Sequence, residues 1–171
     1  MLLQIKVKLA NCQSKAQINI LANEVLTNPK LLSTYYKLCE QREYDDADKA
    51  AWVLRTYFQK TKTVNILHQK KIIKLLQSSK NEAVLRNISG IMADHSFDLK
   101  LENDLVNTSF KILSEHHHDV AVYANFLLGL IPFVKVYPEL KEEIKLLSER
   151  NPMKDKCAFQ LRVKTILSLK S

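Results

Sequence analysis

Two series of apolar positions recur along this chain at nearly constant intervals, and that recurrence restricts its fold more than any other feature. Ala47, Val84, Val122 and Phe159 follow one another at 37, 38 and 37 residues, and Leu38, Leu76, Leu113 and Leu147 at 38, 37 and 34. Around each anchor the apolar residues fall three and four apart, which is the spacing of one helix face. A period of this length holds two helices of ordinary length and two short links, so the repeating unit is a helical hairpin. One hairpin cannot bury both of its apolar faces. Successive hairpins must therefore stack and share a core.

The sparse turn residues agree with this. The 171 residues include two glycines and four prolines, too few for the many tight turns of an all-β or doubly wound α/β chain. An apolar share of 46% with interspersed charge belongs to an ordered globular chain. The length suits one domain over 1–171. Leu3, Ile5, Val7 and Leu9 alternate with Gln4, Lys6 and Lys8, a period-2 pattern that reads formally as strand. A lone strand has no partner for its backbone, so a frayed segment, a helix or an edge open to a second copy are the alternatives. From Ser14, a candidate N-cap, the period becomes helical until the Asn28-Pro29 stop.

The expected layout is an N-terminal helix over 14–28 and helical hairpins over 30–60, 64–94, 100–137 and 139–170. The acidic turn Glu43 to Asp46 precedes a helix whose dipole favours negative charge there. Pro132 is expected to kink the apolar helix Val120 to Tyr137. The opening MLLQIKVKLANC is not read as a lipoprotein signal, because Asn11 is bulky for the cleavage position and Lys6 and Lys8 interrupt the apolar run. The longest uncharged run, Val120 to Val134, is shorter than the about 20 residues a membrane helix needs. Three distant cysteines without a C-x-x-C spacing fit a reducing compartment, so a cytoplasmic location without membrane contact is expected.

Paired helices at this period resemble the HEAT and armadillo class of α-solenoids over residues 14–170. The resemblance implies an all-α, right-handed α-α superhelix whose second helices line a concave surface, and a role in binding proteins. One segment is closer. Ala50, Ala51, Trp52, Val53 and Leu54 resemble the A-A-W-x-L run that opens the groove-lining helix of armadillo repeats such as those of importin-alpha. Where that pattern continues to an Asn one turn later, this chain has Thr56, and the matching Trp positions of later repeats are Ser89, Leu127 and Lys164. A long ladder for an extended peptide is therefore not expected.

Charge singles out the same region. Lys49 to Asn81 holds eight Lys or Arg and no Asp or Glu, so it carries the whole formal charge of +8; outside it 18 basic groups face 18 acidic ones. On a helical wheel Ala50, Leu54 and Tyr57 centre the core side, whereas Trp52 points away among Lys49, Arg55, Thr56 and Gln59. Trp52 either packs against the next repeat or anchors a partner, since Trp and Arg are enriched at binding hot spots. The candidate site is accordingly Lys49, Trp52, Arg55, Thr56 and Gln59, and its partner an acidic protein or peptide.

Lys70, Lys71 and Lys74 form a second basic patch on the next helix. It reads as a solvated face or as a phosphate-contacting strip for nonspecific nucleic-acid binding. Basic helical-repeat DNA glycosylases of the alkylation-repair type resemble such a chain in outline, but they surround the lesion with several aromatics and a carboxylate, and here there is one Trp with a distant Asp48. The SERNPMKDK segment from Ser148 lacks the paired serines of the adenylosuccinate lyase loop and does not support that activity. His116, His117 and His118, flanked by Glu115 and Asp119, read as a solvated turn. No catalytic residue, cofactor or metal site is assigned. A non-enzymatic interaction module, monomeric or weakly dimeric, is the expectation, with nucleic-acid binding or a small enzyme as the alternatives.

Overall fold

Helix α1 (Leu2–Ala10) occupies the stretch whose alternation reads as strand. The alternating pattern places Ile5 and Leu9 four residues apart, so a helix buries both, and Leu3 and Val7 are left in solvent. In the computed structural model residues 2–41 and 44–169 are described. Glu43 of the acidic turn and Lys170 of the last expected hairpin lie outside the described residues.

Nine further helices are formed by the described residues: α2 (Lys15–Thr27), α3 (Leu32–Glu40), α4 (Ala47–Thr61), α5 (Ile66–Ser78), α6 (Glu82–Asp94), α7 (Glu102–Ser114), α8 (Val120–Val136), α9 (Leu140–Arg150) and α10 (Cys157–Leu167). Side-chain caps set the starts of three of them. Ser14 accepts from Gln17 N, Asn65 from His68 N, and Asn81 from Ala83 N and Val84 N. Helix α8 runs on through Pro132, so the expected kink does not end it. No helix among the described residues is long and apolar enough to cross a membrane.

The helices form two layers, α3, α5, α7 and α9 in one and α2, α4, α6, α8 and α10 in the other, each helix packed on its layer neighbours and on its hairpin partner. Ala47, Val84, Val122 and Phe159 are all buried, as are Leu38, Leu76 and Leu113, so the recurring anchors lie in the shared core. In α9 Ile144 is fully buried and Leu147 only partly. The buried apolar side chains make one continuous cluster from Ile5 to Ile166. This is the two-layer α-solenoid that the periodicity requires.

The second layer is also laced by polar rungs at a strict period. Lys49, Asn87 and Asn125 follow one another at 38 residues, and each donates to backbone oxygen in the preceding repeat. Lys49 Nζ reaches Leu9 O at 3.1 Å, Asn87 Nδ2 reaches Asp48 O at 3.4 Å, and Asn125 Nδ2 reaches Arg86 O at 3.1 Å. Each amide also bonds a second group at 3.1 Å, Asn87 to Ala83 O within α6 and Asn125 to Ser89 Oγ in the preceding repeat. These rungs make the register 38 at both steps, which sets Gly90 and Leu128 level with Trp52 in place of the Ser89 and Leu127 of the 37-residue alignment. In the first layer buried Asn151 plays a similar part, its Nδ2 donating to Leu113 O at 3.0 Å.

Asn87→Ala and Asn125→Ala should destabilise the fold by about 1 kcal/mol for each inter-repeat hydrogen bond lost at these half-buried positions, one at Asn87 and two at Asn125. For a chain of this length that lowers Tm by about 2–4 °C per hydrogen bond lost. Thermal melts followed by circular dichroism check this, and the double variant should show nearly the sum, because the two rungs share no partner.

Candidate functional site

Helix α4 begins after the short segment Tyr44–Asp46 and ends at Lys62, whose left-handed backbone (φ 58) closes its last turn on Phe58 O. The helix is flanked by α2 and α6 within its layer and backed by α3, so only a narrow arc reaches solvent. Trp52 lies at the centre of that arc and is 36% exposed. It is neither a fully solvated nor a fully buried tryptophan.

The other four candidates divide between the two flanks of the arc. Thr56, a groove residue by its sequence position, is 8% exposed and belongs to the packed interior. The reason is angular: Thr56 and Lys49 lie on the side of α4 that faces the preceding repeat. Lys49 is spent there too. Its ammonium caps the carbonyl end of α1 and pairs with Asp46 at 2.8 Å, which leaves its side chain 24% exposed. On the opposite flank Arg55 and Gln59 reach the following repeat and meet at one carboxylate. Arg55 Nε lies 3.3 Å and Gln59 Nε2 2.8 Å from Asp94 Oδ2 at the end of α6. Arg55 can lie against α6 because residue 90 is glycine; a Cβ there would collide with its guanidinium. Asp94 is thus a site residue that the linear sequence conceals. Its signal is visible only once the 38-residue register is known, since it lies 39 residues beyond Arg55.

Trp52, Arg55, Gln59 and Asp94 therefore form one surface cluster with an apolar centre and a polar, charge-balanced side. The Arg55–Asp94 pair is about one third exposed on both partners, where such pairs contribute about 0–1 kcal/mol. The HEAT repeat domain pattern matches residues 5–169. This chain belongs to the HEAT repeat family. No curated protein and no solved structure matches it.

Within this HEAT repeat chain the second basic patch stands apart from the first. Lys70, Lys71 and Lys74 are exposed on α5, in the other layer, so the basic stretch 49–81 is split between two layers. Lys71 sits 5.3 Å from the centre of the Tyr36 ring, and Lys74 lies 3.7 Å from Glu40.

The histidine turn departs from expectation. His116 and His117 are exposed, but His118 is 4% exposed and held on both sides. Its Nδ1 lies 2.8 Å from Glu82 Oε2 and its Nε2 2.7 Å from Glu115 Oε2. Two carboxylate acceptors on one ring call for a proton on both nitrogens. Burial works against that charge, yet the hydrogen bonds that His118 donates to the Glu82 and Glu115 carboxylates outweigh it and raise the imidazole pKa above its ordinary value. The turn is not simply solvated because Glu82, in the preceding repeat, supplies the counter-charge; no local pattern around His118 reveals it.

Asp94→Asn should leave the fold intact, with Tm lowered by less than about 4 °C, because it weakens only a surface pair. Trp52 is the chain's one tryptophan, so its fluorescence reports this cluster. Acrylamide quenching of Trp52 should rise in the variant as the anchor shared by Arg55 and Gln59 weakens.

Proposed function

We propose that this chain is a non-enzymatic protein-interaction module that binds an acidic peptide or protein surface through the groove-lining face of its second helical layer. Membership of the HEAT repeat family supports the coarser part of this reading, a scaffold made of stacked helical hairpins. The observation that carries the finer part is Trp52, a large aromatic 36% exposed at the centre of a polar arc. Tryptophan and arginine in a partly desolvated setting are the residue types that contribute most at interfaces. Here the tryptophan is the apolar floor, and Arg55 with Gln59 is the polar edge.

An acidic partner is supported by two features. The chain carries a net charge of +8, which attracts anionic surfaces at long range. At short range Arg55 already holds a carboxylate in a geometry that a glutamate or aspartate side chain of the partner can reproduce. Lys49 and Thr56 act as supports for the repeat stack beneath this surface, not as contacts. A stacked solenoid offers such a surface largely pre-formed, so little free energy is lost in ordering it on binding.

Trp52→Ala should weaken capture of the partner at least 10-fold while the circular dichroism spectrum is unchanged. The measurement is cross-linking or affinity capture with the full chain, followed by titration of whatever acidic protein is recovered. Lys70→Glu with Lys74→Glu should leave that binding within a factor of about two. If instead the wild-type chain is retained on DNA or RNA, with salt-dependent release abolished by the lysine substitutions, the protein-binding reading is replaced by a nucleic-acid one.

A further inference from the structure

The link between α7 and α8 brings three side chains of metal-ligand type to one point. Glu115, His117 and His118 each offer a ligand atom, and these atoms lie within 4.8 Å of one another. The shared centre is Glu115 Oε2, 2.7 Å from His118 Nε2 and 4.0 Å from His117 Nε2. The rings of His117 and His118 stand 4.1 Å apart between centres, tilted by 41°. From this we infer that Glu115, His117 and His118 form a site for a divalent transition-metal ion of the zinc class, with Glu82 orienting His118 from behind.

The loop backbone is fixed without help from any ion. Tyr123 in the first turn of α8 donates its hydroxyl to Glu115 O at 2.6 Å and accepts from His118 N at 3.1 Å. Glu82 accepts from Asp119 N at 2.6 Å through Oε1, while its Oε2 accepts from His118 Nδ1. A carboxylate on the far nitrogen of a histidine is the arrangement that holds a metal-binding imidazole in the correct tautomer and orientation. It leaves Nε2 as the ligand atom, turned toward Glu115.

The distances suit an ion at bonds of about 2.0–2.2 Å, for which tetrahedral ligand atoms lie roughly 3.3 Å apart. The pair at 2.7 Å must open a little and the pair at 4.0 Å must close a little. His117 can supply most of the movement, because its side chain is 71% exposed. The ion takes the place of the proton between His118 Nε2 and Glu115. Two carboxylates facing a single imidazolium then become two carboxylates facing a divalent ion, which improves the local charge balance. Two imidazoles and one carboxylate favour zinc over magnesium or calcium, which prefer oxygen ligands throughout.

Three protein ligands leave a fourth position. It opens to a cavity of ≈ 590 Å³ lined by Glu115, His117 and His118 together with Lys80, Asn107 and Lys111. A water or small anion from that cavity completes the tetrahedron, the two lysines favouring an anion.

The test is isothermal titration of the full chain, stripped with chelator, using zinc chloride. One ion per chain is expected. His117→Ala, at an exposed position that does not support the fold, should weaken binding at least 10-fold, and Glu82→Gln by about 10–100-fold. Cys157→Ser, at the exposed cysteine, should leave binding unchanged, and magnesium should give no heat. Zinc affinity retained in His117→Ala, loss of binding in Cys157→Ser, or no binding by the wild-type chain would overturn the assignment.

Discussion

A helical hairpin has two faces to cover and can cover only one of them internally, so every repeat here depends on its neighbour for the other. Apolar burial provides most of that dependence, but it is indifferent to small sliding of one helix past the next. The side-chain amides of Asn87 and Asn125, and the ammonium of Lys49, add the directional part. The amides of Asn87 and Asn125 each reach a backbone oxygen 39 residues earlier, and the longer Lys49 reaches Leu9 O and Ala10 O. They favour one stacking register between repeats, and with it the positions of the side chains on the second layer's solvent face.

That register explains why the candidate residues separated as they did. Two flanks of α4 face different repeats, so side chains that look equivalent on a helical wheel have different uses. Lys49 and Thr56 are drawn into the contact with the preceding repeat, and Arg55 and Gln59 into the contact with the next one. Trp52, on the line between, is left at the surface. The lysines of α5 belong to the other layer, and the linear basic stretch is two unrelated surfaces.

Much of the fold was legible in the order of residues. The anchors from Ala47 to Phe159 mark buried positions in every second-layer helix from α4 on, and the caps Ser14, Asn65 and Asn81 are local chemistry that needs no tertiary partner. Residues 2–10 were harder, because Ile5 and Leu9 satisfy a period of two and a period of four equally well; only a core on one side decides between them. Asp94 and Glu82 were not legible as site residues at all. Each acts on a group in another repeat, and a single sequence contains the spacing but not the one-residue shift in alignment that determines which groups meet. Similarly, the three histidines read alike in sequence, and only a carboxylate from α6 distinguishes His118 from its neighbours.

Gly90 has a further effect through Arg55. A long arginine side chain on a surface ordinarily samples many rotamers, and ordering it on contact costs up to about 2 kcal/mol. The bare backbone at Gly90, with Asp94 beyond it, gives the guanidinium a bed to lie in. The disorder is removed when the chain folds, so the arm is already at rest on the folded surface. A residue with no side chain thus works here as an entropic reserve for the residue above it.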